Sequence, residues 1–77
     1  MATAYILMMC DSGMEQKVAE ELALLDCVDS TDMVYGEYDI IAKIIIDDIS
    51  QLTDFILSKI RPIQGVTRTS TLIVAKD

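Results

Sequence analysis

The sequence predicts an α+β domain with four antiparallel strands and two helices in the order β-α-β-β-α-β. Three observations support this: apolar or alternating runs that suit strands, two segments with apolar residues spaced three and four apart, and breaks at glycine, proline or paired aspartates. The 77 residues allow one domain, residues 1–77. Because 52% of the residues are hydrophobic and mean hydropathy is +0.39, we expect more apolar surface than one small core buries.

The first two elements are a strand and an amphipathic helix. Residues 5–10 form an apolar run long enough for a buried strand. Ser12 and Glu15 are spaced as a capping box, S-x-x-E, which predicts a helix over residues 14–25. The helix should bury one stripe, and its charged residues fall away from that stripe, which consists of Val18, Leu22 and Leu25.

A β-hairpin is predicted next. Residues 28–35 alternate in part, residues 38–46 form a stronger strand, and Gly36 with Glu37 turns the chain between them. The second strand is apolar on both faces. One face carries Tyr38, Ile40, Ala42, Ile44 and Ile46, and the other carries Asp39, Ile41, Lys43 and Ile45.

A second helix and a last strand complete the pattern. Asp48 and Gln51 are spaced as a second capping pair, and acids favour a helix N-terminus. Pro62 should end this helix. After Gly65, residues 66–75 read as a strand with Thr67, Thr69, Thr71 and Ile73 on one face and Arg68, Ser70, Leu72 and Val74 on the other.

This element order is the split βαβ, or ferredoxin-like, arrangement. Right-handed crossovers place both helices on one face of the four-stranded antiparallel sheet, which leaves the opposite face uncovered. Because isoleucines occupy both faces of residues 38–46, we expect a second subunit to cover that face. The predicted molecule is therefore a ferredoxin-like βαββαβ sandwich that dimerises through its sheet face.

Charge and composition exclude several classes of function. The net charge is −7 and the six basic residues are dispersed, so direct nucleic-acid or anionic-membrane binding is not expected. Without histidine, a nucleophile elbow or a glycine-rich phosphate loop, we expect no metal, no cofactor and no catalysis. Cys10 and Cys27 are expected to be reduced thiols of a cytoplasmic protein, and a disulfide between them is weakly motivated.

An ordered set of short motifs carries a family resemblance. The pieces are V-x-G-x-Y-D at residues 34–39, Leu52 with Phe55, Gly65-Val66 with Thr69 and Thr71, and the opening A-Y-I-L at residues 4–7 with the Ser12-Gly13 break. Over essentially the whole chain they resemble the effector-binding domain of the leucine-responsive/AsnC family of transcription regulators.

The resemblance implies an assembly and a partner. Domains of that family pair through their sheets into dimers, which often associate into rings, and amino acids bind near the β2–β3 turn between dimers. A helix-turn-helix usually precedes the domain. This sequence starts at the first strand and resembles the stand-alone members, so we expect a homo-oligomer that reaches DNA only through full-length regulators of the family.

The same resemblance implies site residues in this sequence. Gly36 lets backbone N–H groups approach the carboxylate of an amino acid, and Asp39 pairs with its ammonium. Each candidate also has a purely structural alternative. Gly36 could only serve the turn and Asp39 could only cap the strand. The tyrosines could be interface or core residues, the threonines ordinary strand formers, and Arg68 part of a surface or intersubunit ion pair. Weaker candidates are Tyr35 and Tyr38 as pocket walls, Thr69 and Thr71 as hydroxyl donors from a neighbouring copy, and Arg68 as a partner for the ligand carboxylate.

Two other classes share this topology. A dimeric α/β-barrel enzyme of the oxygenase or isomerase type would need a deep apolar cleft between helices and sheet. An ACT-like amino-acid sensor would place its sheets side by side rather than face to face.

Overall fold

One four-stranded sheet organises the computed structural model, which describes residues 1–76. Its strand order is β2-β3-β1-β4, and every neighbouring pair is antiparallel. The ferredoxin-like α+β fold predicted from the element order is confirmed. The strands are β1 (Ala2–Cys10), β2 (Val28–Met33), β3 (Ile40–Ile46) and β4 (Val66–Ile73).

Two helical segments connect the strands. Helix α1 (Glu15–Ala23) lies between β1 and β2. The second segment begins with a 3₁₀ turn (Ile49–Gln51), continues as α2 (Leu52–Phe55) and ends in a π-helical turn (Ile56–Ile60). It stops just before Pro62, which has no N–H to continue the helix. Among the residues described, no helix is long and apolar enough to cross a membrane.

Both helical segments pack on the same face of the sheet. Alternate residues of β1 pair with alternate residues of β3 on that face, for example Ile6 with Ala42 and Met8 with Ile40. The core they form contains no buried polar side chain among the described residues. It consists of Ala4, Ile6, Met8, Val18, Leu22, Ile40, Ala42, Ile44, Ile46, Leu52 and Ile60.

The opposite face of the sheet, which we call the bare face, is apolar but uncovered. On β3 it carries Ile41, Lys43 and Ile45, all half-buried, beside Tyr5 and Leu7 of β1. The β3 burial pattern alternates residue by residue, as a strand with one covered face requires. The predicted assignment of isoleucines to both faces is therefore confirmed.

The capping box predicted at Ser12 and Glu15 is wrong. Met14 occupies the N-cap position of α1 and has no side-chain capping bond. The chain enters the helix through a tight turn in which Met14 N–H donates to Asp11 O at 3.0 Å and Gly13 adopts a φ of 87°. The second predicted cap is present, because Asp48 Oδ1 accepts from Ser50 N–H at 3.0 Å and this bond lowers the pKa of Asp48.

The hairpin connection is longer than the tight turn predicted at Gly36 and Glu37. Strand β2 ends at Met33 and β3 begins at Ile40, so residues 34–39 form a loop and Tyr38 lies outside the strand. Val34 N–H closes the loop by donating to Asp39 O at 2.9 Å, and Asp39 N–H donates to Met8 O at 2.9 Å. The first of these bonds continues the β2–β3 register by one residue pair beyond Met33 and Ile40. Strand β4 likewise ends at Ile73, two residues before the predicted limit.

Candidate ligand-binding site

The loop of residues 34–39 forms a pocket with the first turn of α1. Met33, Val34 and Tyr35 supply one wall, and Asp39 and Glu15 supply two carboxylates. The pocket volume is about 390 Å³, and its five lining residues include no lysine or arginine. A small ligand with an ammonium and an apolar part fits this chemistry.

Asp39 is fixed by three hydrogen bonds at the centre of this region. Its Oδ2 accepts from Cys10 N–H at 2.8 Å. Its own N–H donates to Met8 O, and its carbonyl oxygen accepts from Val34 N–H. The side chain therefore joins the start of β3 to the end of β1, where the β1–β4 register shifts between Met9 and Cys10. The capping role left open for Asp39 by the sequence is real, and within residues 1–76 the other carboxylate oxygen, Oδ1, has no hydrogen-bond partner.

Glu15 reaches the pocket because α1 is held against the start of β4. Gly65 has a φ of 104°, and a Cβ there would lie 2.9 Å from the Met14 Cβ, so only glycine allows this approach. Asp11 N–H also donates to Gly65 O at 2.8 Å. These contacts fix the first turn of the helix beside the loop. Glu15 was not singled out as a site residue from the sequence, where its spacing from Ser12 suggested a cap instead.

Three carboxylates lie close to the Cys10 thiol at this end of the sheet. Burial, and then the carboxylates of Asp39, Glu15 and Asp11, raise the pKa of the Cys10 thiol above its ordinary value. The thiol is therefore neutral near pH 7 and is a poor nucleophile. A cationic group placed here would be attracted by the same carboxylates that disfavour the thiolate.

The other residues predicted in the loop lie on or beside the pocket. Tyr35 is fully exposed and lines it. Gly36 has a φ of 140°, in the region that favours glycine, and a Cβ there would meet nothing within 4 Å. Tyr38 is half-buried in the same loop but is not among the lining residues. The structure thus groups Tyr35, Gly36, Tyr38 and Asp39 at one end of the sheet.

Thr69 and Thr71 lie on β4, away from the pocket of their own chain. Thr69 pairs with Met8 and Thr71 with Ile6, so β1 separates both residues from the loop. Thr69 is half-buried and Thr71 is exposed at the sheet edge. Arg68 is exposed on the same strand and pairs with Met9. Contact of these threonines with a ligand would require the loop of a neighbouring copy, as the sequence-based hypothesis stated.

The two cysteines are too far apart to form a disulfide within one chain. Cys10 N–H bonds to the side chain of Asp39, whereas Cys27 O accepts from Ile45 N–H at 2.9 Å. Asp39 and Ile45 are six positions apart in largely extended chain, which corresponds to about 20 Å. A disulfide needs Cα atoms within about 7 Å. Both cysteines are free.

A larger groove lies at the opposite end of β3. Its volume is about 640 Å³, and polar side chains of the second helical segment, including Asp54, Ser58 and Lys59, form much of its wall. Val18, Leu22 and Ile60, which fill the layer between helices and sheet, are completely buried and do not line the groove. This groove is therefore not the deep apolar cleft that an α/β-barrel enzyme would need.

A family model described as the Lrp/AsnC ligand binding domain matches residues 3–77. The chain belongs to the Lrp/AsnC family. An uncharacterised helix-turn-helix-type transcriptional regulator of Pyrococcus abyssi is 35% identical over 71 residues, which cover 92% of this chain and 45% of the regulator.

Solved structures of Lrp/AsnC-type domains have the same fold. The crystal structure of FFRP-DM1 is 42% identical, covers 96% of this chain and 99% of its own, and superimposes with a TM-score of 0.91. A transcriptional regulator of Neisseria meningitidis, solved as a complex with L-methionine, is 19% identical with a TM-score of 0.88, and the match covers 99% of this chain and 51% of that chain. At that identity the likeness shows the fold alone.

Family membership assigns this Lrp/AsnC domain a regulatory, ligand-binding role. The family model describes a ligand-binding domain, and the matched relatives are named as transcriptional regulators. The chain spans about half the length of the curated relatives it matches. The remaining half of each regulator has no counterpart in the match, so its activity is not assigned to this chain.

Proposed function

We propose that this Lrp/AsnC domain binds a free amino acid in the pocket between the 34–39 loop and α1, and that the ligand regulates its assembly. The observation that carries the proposal is the Asp39 carboxylate, held by Cys10 N–H with one oxygen left over, beside the carboxylate of Glu15. An ammonium group is the natural complement of such an arrangement. A non-catalytic role agrees with relatives that are named as regulators.

The other parts of the pocket suit the carboxylate and the side chain of an amino acid. The open backbone at Gly36 leaves room for a ligand carboxylate near loop N–H groups. Met33 and Tyr35 offer apolar surface to the ligand side chain, and Tyr38 follows in the same loop. Thr69 and Thr71 of an adjacent copy would complete the site. The complex of the Neisseria regulator with L-methionine supports an amino-acid effector.

The proposed assembly begins with a homodimer that buries the bare face, and dimers associate further into a ring. The apolar side chains on both faces of β3 support it, because the helices cover only one of those faces. A ligand changes the assembly state only by binding one state more tightly than another. Residues 1–77 would act as one cytoplasmic domain, alone or with full-length regulators of the family, without contacting nucleic acid directly.

Calorimetry against the twenty amino acids tests the ligand. Asp39→Asn removes the charge but keeps an oxygen for Cys10 N–H, whereas Asp54→Asn removes an exposed carboxylate outside the pocket. We expect at least one amino acid to bind the natural protein, with affinity at least about tenfold weaker in Asp39→Asn because a charge-assisted bond is lost. Asp54→Asn should bind normally. The absence of heat from all twenty amino acids would remove the effector role.

A further inference from the structure

The proposed ligand pocket has more negative charge than an amino acid with an uncharged side chain can neutralise. Of its five lining residues two, Glu15 and Asp39, carry carboxylates, and none is a lysine or an arginine. An amino acid of that kind is a zwitterion, in which a single ammonium is balanced by a carboxylate. With its ammonium on Asp39, it would leave the Glu15 carboxylate without a cationic partner.

The Glu15 carboxylate is free to contact a ligand. Glu15 is half-buried in the first turn of α1, and among residues 1–76 its side chain makes neither a hydrogen bond nor an ion pair. Lys17 is the cationic residue nearest to it in sequence, but helix positions two apart face different directions. Lys17 instead lines a separate pocket with Glu21 and Lys59. No cation of the described residues therefore neutralises Glu15.

The remaining wall of the pocket suits an aliphatic chain. Met33, Val34 and Tyr35 line it with apolar surface. Lysine and arginine side chains combine a flexible methylene stem with a cationic end, so the stem can lie against apolar surface while the charge stays on a polar partner. The pocket volume of about 390 Å³ is within the range of small-molecule sites. The pocket thus combines an apolar wall with two carboxylates.

The carboxylates of Glu15 and Asp39 act on the same neighbouring thiol. Burial comes first among the causes that raise the pKa of the Cys10 thiol, and the carboxylates of Asp39, Glu15 and Asp11 follow. Since the interaction between charges falls with distance, these carboxylates lie near one another around the thiol. Like charges held close together favour a ligand that brings a cation to each of them. The match to a ligand-binding domain points to a ligand independently of these charges.

We propose that the effector of this domain is a basic amino acid of the lysine or arginine type, and that Glu15 binds the cationic end of its side chain while Asp39 binds its α-ammonium. This assignment rests on the proposed function, because it concerns the same pocket. The ligand makes a charge-assisted hydrogen bond at each carboxylate, and its own carboxylate lies near the loop N–H groups at Gly36. An amino acid with an uncharged side chain makes the contact at Asp39 alone, so Glu15 determines the preference between the two classes.

Isosteric ligands test this preference by calorimetry. Lysine and norleucine have the same carbon chain, but only lysine has the distal ammonium, and citrulline is the uncharged counterpart of arginine. We expect lysine or arginine to bind the natural chain at least about tenfold more tightly than its uncharged counterpart, because the counterpart lacks one charge-assisted contact. Cadaverine, which is lysine without its carboxylate, should bind more weakly than lysine. Tighter binding of cadaverine would identify a diamine and overturn the amino-acid assignment.

A matched pair of variants tests the role of Glu15. Glu15→Gln keeps the shape of the side chain and removes its charge, so it should abolish the preference for the basic ligand and leave the affinity for norleucine or citrulline unchanged. Glu20→Gln removes an exposed carboxylate elsewhere on α1 and should keep the natural preference. Thermal unfolding verifies that both variants fold. A Glu15→Gln chain that still prefers the basic ligand would overturn the role of Glu15.

The ligand series also separates this assignment from the proposed function. Uncharged amino acids that bind the natural chain as tightly as basic ones, and more weakly in Asp39→Asn, would overturn the basic effector and leave the proposed function standing. The absence of binding by every amino acid would overturn both.

Discussion

The two faces of β3 have nearly the same residues and opposite surroundings. Ile40, Ala42 and Ile44 are completely buried beneath the helices. Ile41 and Ile45, one residue away in each case, remain half-buried on the bare face. The covered face completes the fold of one chain, whereas the bare face still has apolar surface to bury. In the proposed homodimer, an isoleucine of this strand therefore serves folding on the covered face and assembly on the bare face.

The largest effect that separates the two faces should come from neighbouring isoleucines. Ile44→Ala opens a cavity in the covered core and should lower the free energy of unfolding by about 2–5 kcal/mol. Ile45→Ala removes the same atoms from the bare face and should mainly weaken association. Urea unfolding over a range of protein concentrations distinguishes these outcomes. Equal losses at every concentration for the two variants would contradict the division of roles.

A smaller effect tests the contact that holds α1 over the covered face. Gly65→Ala places a methyl group against Met14 at a backbone angle that disfavours alanine, so it should cost more than the about 1–3 kcal/mol of backbone strain alone. Gly13→Ala meets the same kind of strain but open space, and it should cost less. Thermal unfolding of the pair measures the difference. If Gly13→Ala is the more damaging change, the close packing at Gly65 is not limiting.

The smallest effect concerns the loop at the end of the sheet. Asp39→Ala leaves Cys10 N–H without its acceptor and should cost about 1 kcal/mol of stability. Asp39→Asn retains an acceptor oxygen and should cost less. Hydrogen exchange at the Cys10 amide is the local readout, because it reports the bond directly. Unchanged exchange at this amide in Asp39→Ala would mean that the side chain does not restrain the end of β1.

The sequence predicts helices and strands well where the periodic pattern of apolar residues extends over many residues. The strand at residues 38–46 and the helix around Val18 and Leu22 were anticipated with their buried faces. Local turn chemistry was predicted less well. Ser12 and Glu15 have capping spacing, but the tertiary contact between α1 and Gly65 sets a different helix entry. The turn at Gly36 extends to residue 39 because β1 accepts the Asp39 N–H, a partner that lies distant in sequence.

The candidate site was predictable only in part for the same reason. Motif resemblance selected Gly36 and Asp39, and Tyr35 was a weaker candidate in the same loop; the structure brings Tyr35 and Asp39 into one pocket. Glu15 joins them through packing that no local pattern reveals. Thr69 and Thr71 fit the motif but lie across β1 from the pocket, so any contact they make with ligand depends on another copy. Sequence patterns identify residues within one loop more readily than residues that an assembly brings together.

A second copy that covers the bare face is the central element of the proposed assembly. Size-exclusion chromatography with light scattering should give a mass of at least twice the 8.5 kDa of one chain. Leu7→Lys, at the centre of the bare face, should reduce this mass to that of a folded monomer, whereas Leu57→Lys on the exposed side of the second helical segment should not. A natural chain that elutes as a stable 8.5 kDa monomer at all concentrations would contradict the account.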